Sequence, residues 1–260
     1  MLADSQKYNL PIDFVLFLAD TNLILGQRNA EWCAHGPILE QDIAITNISL
    51  DLIGQSRNFY QYAAKLLNEM RAADQLPDND LTEDSLAYLR TEREFKNLLI
   101  TELPKQDWAH TVLRQLLYSL YSQSLYNRLL NGPDVQLSAI AEKALKEIAY
   151  HIKWSSEWVI RLGDGTDESH ERMVIALQAL WPYTGEFFLE ATYETSITDY
   201  TVIKQEWSEK LTPILIQATL EVPQNVFMQK GGKQGIHTEH MGFILADLQY
   251  LQRTYPGAEW

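Results

Sequence analysis

The chain has 260 residues, 46% of them hydrophobic and 22% charged, and a formal net charge of −14. This is ordinary globular composition with ample material for a core. The acidic balance speaks against a nucleic-acid binder, which needs a basic face, and against an acidic membrane surface, while suiting a basic protein partner.

The single cysteine, Cys33, leaves no internal disulfide and fits a reducing cytoplasm. The opening MLADSQKYNLPIDFVLFLAD lacks the basic start and small-residue cleavage site of a signal peptide, and its apolar run Phe14–Ala19 is far short of a membrane span. A soluble cytoplasmic chain, forming one domain over residues 1–260, is expected.

No stretch alternates with period two between hairpin turns, so no strand is expected. A first helix is expected from Pro11 to about Cys33, with Ile12, Val15, Leu16, Ala19, Leu23 and Ala30 at helical spacing. Ala34-His35-Gly36-Pro37 breaks it, with Gly36 as N-cap and Pro37 as first helical residue of a second helix running from Ile38 to about Met70. Arg71–Asp80 is a polar loop, and Thr82 caps a mixed helix over Glu83–Thr101 within a crossover that ends near residue 107.

A third long helix is expected over Trp108–Leu130, then a turn at Asn131-Gly132-Pro133-Asp134, then a fourth over Val135–Leu162. Further helices over Ser169–Leu189 and Asp199–Leu220 carry Pro182 and Pro213, where a kink or break is expected. Thr238 caps a last helix ending before Pro256. Two long helical hairpins joined by a crossover form the pattern of an all-α, ferritin-like four-helix bundle, here with additional C-terminal helices.

The fourth helix carries the most telling residues. Ile140, Ala144, Glu147, His151, Trp154 and Trp158 share one face, while Lys146, Tyr150, Lys153 and Glu157 share the next. A Glu and a His one turn apart facing a bundle interior form half of a di-iron site of the carboxylate type. Treating each hairpin as symmetric about its turn puts Asp20, Asp51, Tyr118 or Ser119, and Glu147 at one height, with His151 a turn away.

That layer falls short of the full set. The second helix has no imidazole near Asp51, the third offers Ser119 in place of an acid, and the histidine of the fourth is at i+4. Three carboxylates and one histidine would leave two irons under-compensated. Taken singly, Asp20 aligns with Asp13, Gln27 and Glu31 as an exposed polar stripe. Asp51 sits among Ile45, Ile48, Leu50, Leu52 and Ile53 as a buried acid in a polar network. Glu147 and His151 hydrogen-bond within the bundle, and Tyr118, Tyr121 and Ser122 satisfy the buried acids.

Near the C-terminus, Lys230-Gly231-Gly232-Lys233-Gln234-Gly235 combines glycines, two lysines and a following helix start, which suits either an anion such as phosphate or a docking partner. It is not a Walker loop. His237, Glu239 and His240 look like a metal cluster, but neighbours on a helix point apart.

GGKQGIHTEHMGFILADLQYLQRTYPGAEW closely resembles the carboxyl terminus of the C-type subunits of bacterial phenylacetyl-CoA ring-1,2-epoxidases. NAEWCAHGPILEQDIAITNISLDLIGQSRNFYQYA resembles their first hairpin, and KALKEIAYHIKWSSEWVIRLGDGTDES their fourth helix. The resemblance implies a ferritin-like structural subunit paired with a homologous catalytic subunit that carries the di-iron centre. That complex epoxidises the aromatic ring of phenylacetyl-CoA using oxygen and electrons from NADPH through a reductase.

On this resemblance Asp20, Asp51, Glu147 and His151 match a degenerate site, and Ser119 departs from a pattern in which some relatives keep an acid. No cofactor is then expected in this chain. Lys230, Lys233 and His237 become candidate contacts for coenzyme A or a partner, and homodimers of the isolated chain stay open. The alternative is a metal-dependent oxygenase in its own right, using Glu147 and His151.

Overall fold

The computed structural model describes residues 12–70, 80–194 and 199–258. Among them there is no strand, and the architecture is all-α. Four long helices make the bundle: α1 (Ile12–Ala30), α2 (Leu39–Met70), α4 (Trp108–Leu129) and α5 (Val135–Gly163), with α3 (Glu83–Tyr88) inside the crossover. After the bundle come α6 (Asp167–Leu180), α7 (Tyr200–Gln217) and α8 (His240–Thr254). Pro11 and the expected loop over Arg71–Asp80, apart from Asp80, lie outside the described residues.

Side-chain pairs fix the helix directions. Asn22 meets Tyr126, Asn29 meets Gln115 and Trp32 meets Thr111, so α1 and α4 are antiparallel. Gln55 meets Glu147 and Asp51 meets His151, so α2 and α5 are antiparallel. Each hairpin is antiparallel by its short turn, so α2 and α4 run parallel and the connection between them must travel the bundle's length. That is the connectivity of a ferritin-like bundle.

The crossover can be followed pair by pair down the α1–α2 face. Leu81 N–H donates to Asn68 Oδ1 at 3.0 Å, Gln61 to Glu83 at 2.9 Å, and Lys96 N–H to Asp20 Oδ2 at 2.8 Å. Arg28 then donates to the Glu102 carbonyl at 2.7 Å and Lys105 to the Glu31 carbonyl at 3.0 Å. This covering leaves α1 buried nearly all round, Asp20 and Asn22 included.

The expected helix over Glu83–Thr101 is shorter than its sequence suggests. It stops at Tyr88, and two 3-10 turns follow at Glu92–Glu94 and Leu99–Thr101. Thr91 and Glu94 cap the first turn reciprocally, while Phe95, Leu98 and Ile100 all turn inward, which no single helical face would allow. The second helix likewise starts at Leu39, two residues after Pro37. The Asp42 carboxylate reaches back to accept from the Ala34 and Gly36 amides at 3.2 and 2.8 Å, an arrangement that holds its pKa down.

Elsewhere the punctuation is close to expectation. Pro182 ends α6 and opens a 3-10 stretch, Trp181–Phe188, whereas α7 continues through Pro213. Thr238 precedes α8, whose N-cap position is Glu239. Trp32, Trp108, Trp154 and Trp158 cluster at one end of the bundle, with Trp108 edge-on to the other three.

Candidate functional site

Helix α5 aims its polar pair into the seam with α2. His151 is fully buried and its Nε2 lies 3.0 Å from Asp51 Oδ2. One turn away Gln55 Nε2 donates to Glu147 Oε2 at 2.8 Å. The seam therefore carries two rungs, Asp51–His151 and Gln55–Glu147. Asp51 is half-exposed, with its side chain 34% accessible, so the expected burial is not found. Residue 51 faces sideways towards α5, away from the apolar neighbours that suggested enclosure.

The opposite seam carries an amide and hydroxyl network, and beside it on α4 the buried Arg114 guanidinium donates to the Leu103 carbonyl. Tyr118 donates to Asn22 Oδ1 at 3.0 Å, and Asn22 donates to the Tyr126 hydroxyl at 2.9 Å. Asn29 donates to Gln115 at 2.8 Å, and Gln115 to Ser119 at 2.9 Å. Burial pushes the Tyr118 hydroxyl up to about 12 and Tyr126 well above its ordinary range, so both stay protonated at neutral pH. Tyr121 is buried without a hydrogen-bond partner among the described residues, and Ser122 donates to the Tyr118 carbonyl, so neither serves a buried acid.

Asp20 is not on an exposed stripe. It is fully buried and faces the crossover, where it pairs with Arg90 and accepts from Tyr60 at 2.5 Å and from the Lys96 amide. Burial works against the Arg90 charge, but Asp20 beside it more than compensates and raises the pKa. The single-height layer fails because residues 31–38 form a wide turn that is not symmetric. Ser49 bonds the Gly26 carbonyl at 2.6 Å, which advances α2 by more than a helical turn against the equal-distance rule. Asp51 then lies off the height of Asp20, and the long Tyr60 side chain reaches Asp20 instead.

This donor set does not fit a di-iron centre. Asp51, Glu147 and His151 lie on one seam, Ser119 lies in an amide and hydroxyl network on the other, and Asp20 is already occupied by a guanidinium. Among the described residues no three His, Cys, Asp or Glu side chains converge as metal ligands. A cavity of about 880 Å³ lies elsewhere, between Trp181–Phe188 and α7, and contains none of these residues.

The glycine-rich segment does hold an anion, and the anion is internal. Gly231 and Gly232 N–H groups both donate to Glu186 Oε1 at 2.8 Å, and Leu99 N–H donates to Oε2 at 2.7 Å. Burial still leaves the Glu186 pKa raised. A Cβ on Gly232 would stand 2.1 Å from the Asn97 carbonyl oxygen, so only glycine allows this approach.

Lys233, expected to reach coenzyme A or a partner, is 1% exposed. Its ammonium contacts Glu194 at 3.0 Å and the Leu189 carbonyl at 2.8 Å, between the Phe17 and Tyr200 rings. Burial lowers its pKa and Glu194 opposes that. His237 is also buried, with Nδ1 2.7 Å from Glu102 and Nε2 3.1 Å from the Phe95 carbonyl. Lys230 alone of the three is exposed.

Sequence reasoning missed Tyr60, Arg90, Glu102, Glu186 and Glu194. Glu186 left a signal, an acid enclosed by aromatics in WPYTGEFF, whereas Arg90 sits in an ordinary polar stretch and left none.

A family model described as phenylacetic acid catabolic protein matches residues 3–260. The chain belongs to that family. The C subunit of the 1,2-phenylacetyl-CoA epoxidase of Escherichia coli (strain K12) is 42% identical over 253 residues, which cover 95% of this chain and 98% of that protein. No helix among the described residues is long and apolar enough to cross a membrane.

Proposed function

We propose that this chain is a non-catalytic structural subunit of a cytoplasmic phenylacetyl-CoA epoxidase, holding a homologous di-iron subunit in its active shape. The observation that carries this is the amide and hydroxyl network of the α1–α4 seam, together with an Asp20 that faces the crossover and is already neutralised by Arg90. Where a di-iron bundle needs carboxylates from every helix, α1 and α4 of this one meet through amides and phenols. The reading keeps iron in the partner and routes NADPH electrons through a separate reductase.

The test is to measure iron and mass for the chain alone and for the assembled complex. No stoichiometric iron in the isolated chain is expected, together with unchanged epoxidation when Glu147 and His151 are both replaced by Ala in the complex. Two irons per isolated chain with oxygen-dependent turnover would overturn it. Such a result would favour the oxygenase reading, whose support is the half-exposed Asp51–His151 pair beside Glu147.

A further inference from the structure

Cations set into the interior of this fold meet carboxylates. Arg90 pairs with Asp20, Lys233 with Glu194 and Arg28 with Glu31. Arg114 on α4 is the exception. It is 1% exposed, yet no carboxylate among the described residues pairs with it. Its Nη1 donates to the crossover, to the Leu103 carbonyl and, at 3.4 Å, to the Pro104 carbonyl. Its Nε and Nη2 are buried and have no hydrogen-bond partner among the described residues.

Those two atoms form one edge of the guanidinium. Along it the Nε and Nη2 N–H groups point the same way, a fork matched to two oxygens of a single anion. The neighbouring Arg28 shows such an edge in use, its Nε and Nη2 both donating to the Glu102 carbonyl at 3.0 and 2.7 Å. Burial and then the nearby Arg28 bring the Arg114 pKa down to about 10, with Glu31 opposing, so the group stays protonated at neutral pH. A full positive charge is therefore enclosed, which is costly unless an opposite charge accompanies it.

The surroundings add to that charge. Lys105 donates to the Glu31 carbonyl at 3.0 Å and holds its ammonium 4.6 Å from the centre of the Trp32 ring, again without a carboxylate partner among the described residues. Of Arg28, Lys105 and Arg114, only Arg28 bonds a carboxylate, that of Glu31 at 2.6 Å. In a chain of net charge −14 this spot has a surplus of positive charge. Water would satisfy the fork's hydrogen bonds but brings no charge. Enclosure sets the size, since a nucleotide or a phosphopeptide is too large to lie against a side chain so deeply buried.

We propose that Arg114 holds a small planar oxyanion of the carboxylate or bicarbonate kind, gripped side-on through Nε and Nη2 where α1, α4 and the crossover meet. The ion fastens the end of the crossover to α4, as Glu186 and Glu194 fasten the C-terminal segment with acids of the chain's own. The site is separate from the structural-subunit reading and does not depend on it.

The experiment melts the full chain, dialysed into gluconate, at constant pH and ionic strength. Gluconate, too bulky for the site, is replaced stepwise by formate, bicarbonate, nitrate or chloride, for wild type, Arg114→Met and Arg114→Lys. The wild-type Tm should rise saturably, by roughly 5 °C at about a hundredfold excess over Kd, with the planar oxyanions ahead of chloride. Arg114→Met keeps the side chain's length without its charge and should not respond to any of these anions. Arg114→Lys keeps the charge without the fork and should lose the preference for oxyanions over chloride. Crystals of wild type grown in nitrate should show a planar ion against Nε and Nη2, a readout that needs no variant to fold. A wild-type Tm indifferent to the anion, with only water against the fork, overturns the proposal. So does an equal response from a folded Arg114→Met chain. An ion seen in the crystal with no saturable response in solution is an adventitious ion only, and overturns it as well.

Discussion

The α2–α5 seam and the C-terminal segment use the same residue types to opposite ends. In the seam, Asp51 and Glu147 are half-solvated and bonded to His151 and Gln55. Around the C-terminal segment, Glu102, Glu186 and Glu194 are essentially fully buried and meet His237, the Gly231 and Gly232 amides, and Lys233. The buried set fastens the chain's last quarter across the crossover and the bundle, and Asp20–Arg90 fastens the crossover to α1. These buried acids are held by partners inside the fold, whereas the acids of the seam are part-exposed to solvent.

The largest expected effect tests that contrast directly. Lys233→Met leaves Glu194 buried without its cation and should destabilise the chain by about 3–5 kcal/mol in chemical denaturation. Adding Glu194→Leu should recover much of the loss, because both charges then go together. An equal loss from Asp51→Asn would erase the distinction between the two regions.

The next effect depends on pH. Burial opposes the charged form of His237, but its bonds to Glu102 prevail and raise its pKa above 6.5. A raised histidine binds its proton more tightly when folded, so its contribution is fully present below pH 6.5 and fades as pH rises through the folded value. His237→Gln should therefore cost about 1.5–3 kcal/mol near pH 6 and progressively less in alkaline buffer. A gap between wild type and variant that stays constant from pH 5.5 to 9 would mean the imidazole acts only through packing. At the seam, Asp51→Asn should cost no more than about 1 kcal/mol, since its carboxylate is already part-solvated.

How legible this was follows from what periodicity can encode. Helical spacing and turn residues carry α1, α2, α4 and α5, because one apolar face per helix is a local property. The same spacing placed Ile140, Ala144, His151 and Trp154 on the buried side of α5, where they are found. Which acid meets which cation is not local. Asp20 reads as one member of a polar stripe until Arg90 arrives from 70 residues away. Lys233 reads as a surface cation until Glu194 and two rings enclose it. Register across the first hairpin was lost for a similar reason: residues 31–38 shift α2 through Asp42 reaching back to the turn, which no rise per residue can express.

The smallest prediction bears on a third region, the outer face of α2, where neither the buried clasps nor the seam has any claim. Alanine at position 54 adds one methyl where the described residues offer it no contact, so packing gives no reason for a loss. It also removes a glycine from a helix interior, which by propensity should stabilise the isolated chain by roughly 0.5–1 kcal/mol. The melting temperature of the chain alone should rise, while its affinity for the di-iron subunit should not improve. If Gly54→Ala destabilises the isolated chain, then α2 needs that glycine for its own fold, and the outer face is governed by the same internal demands as the seam. If the isolated chain gains stability and the complex does not, the glycine answers to a neighbour. The outer face of α2 is then a surface that a neighbour approaches, beside the part-solvated Asp51–His151 seam.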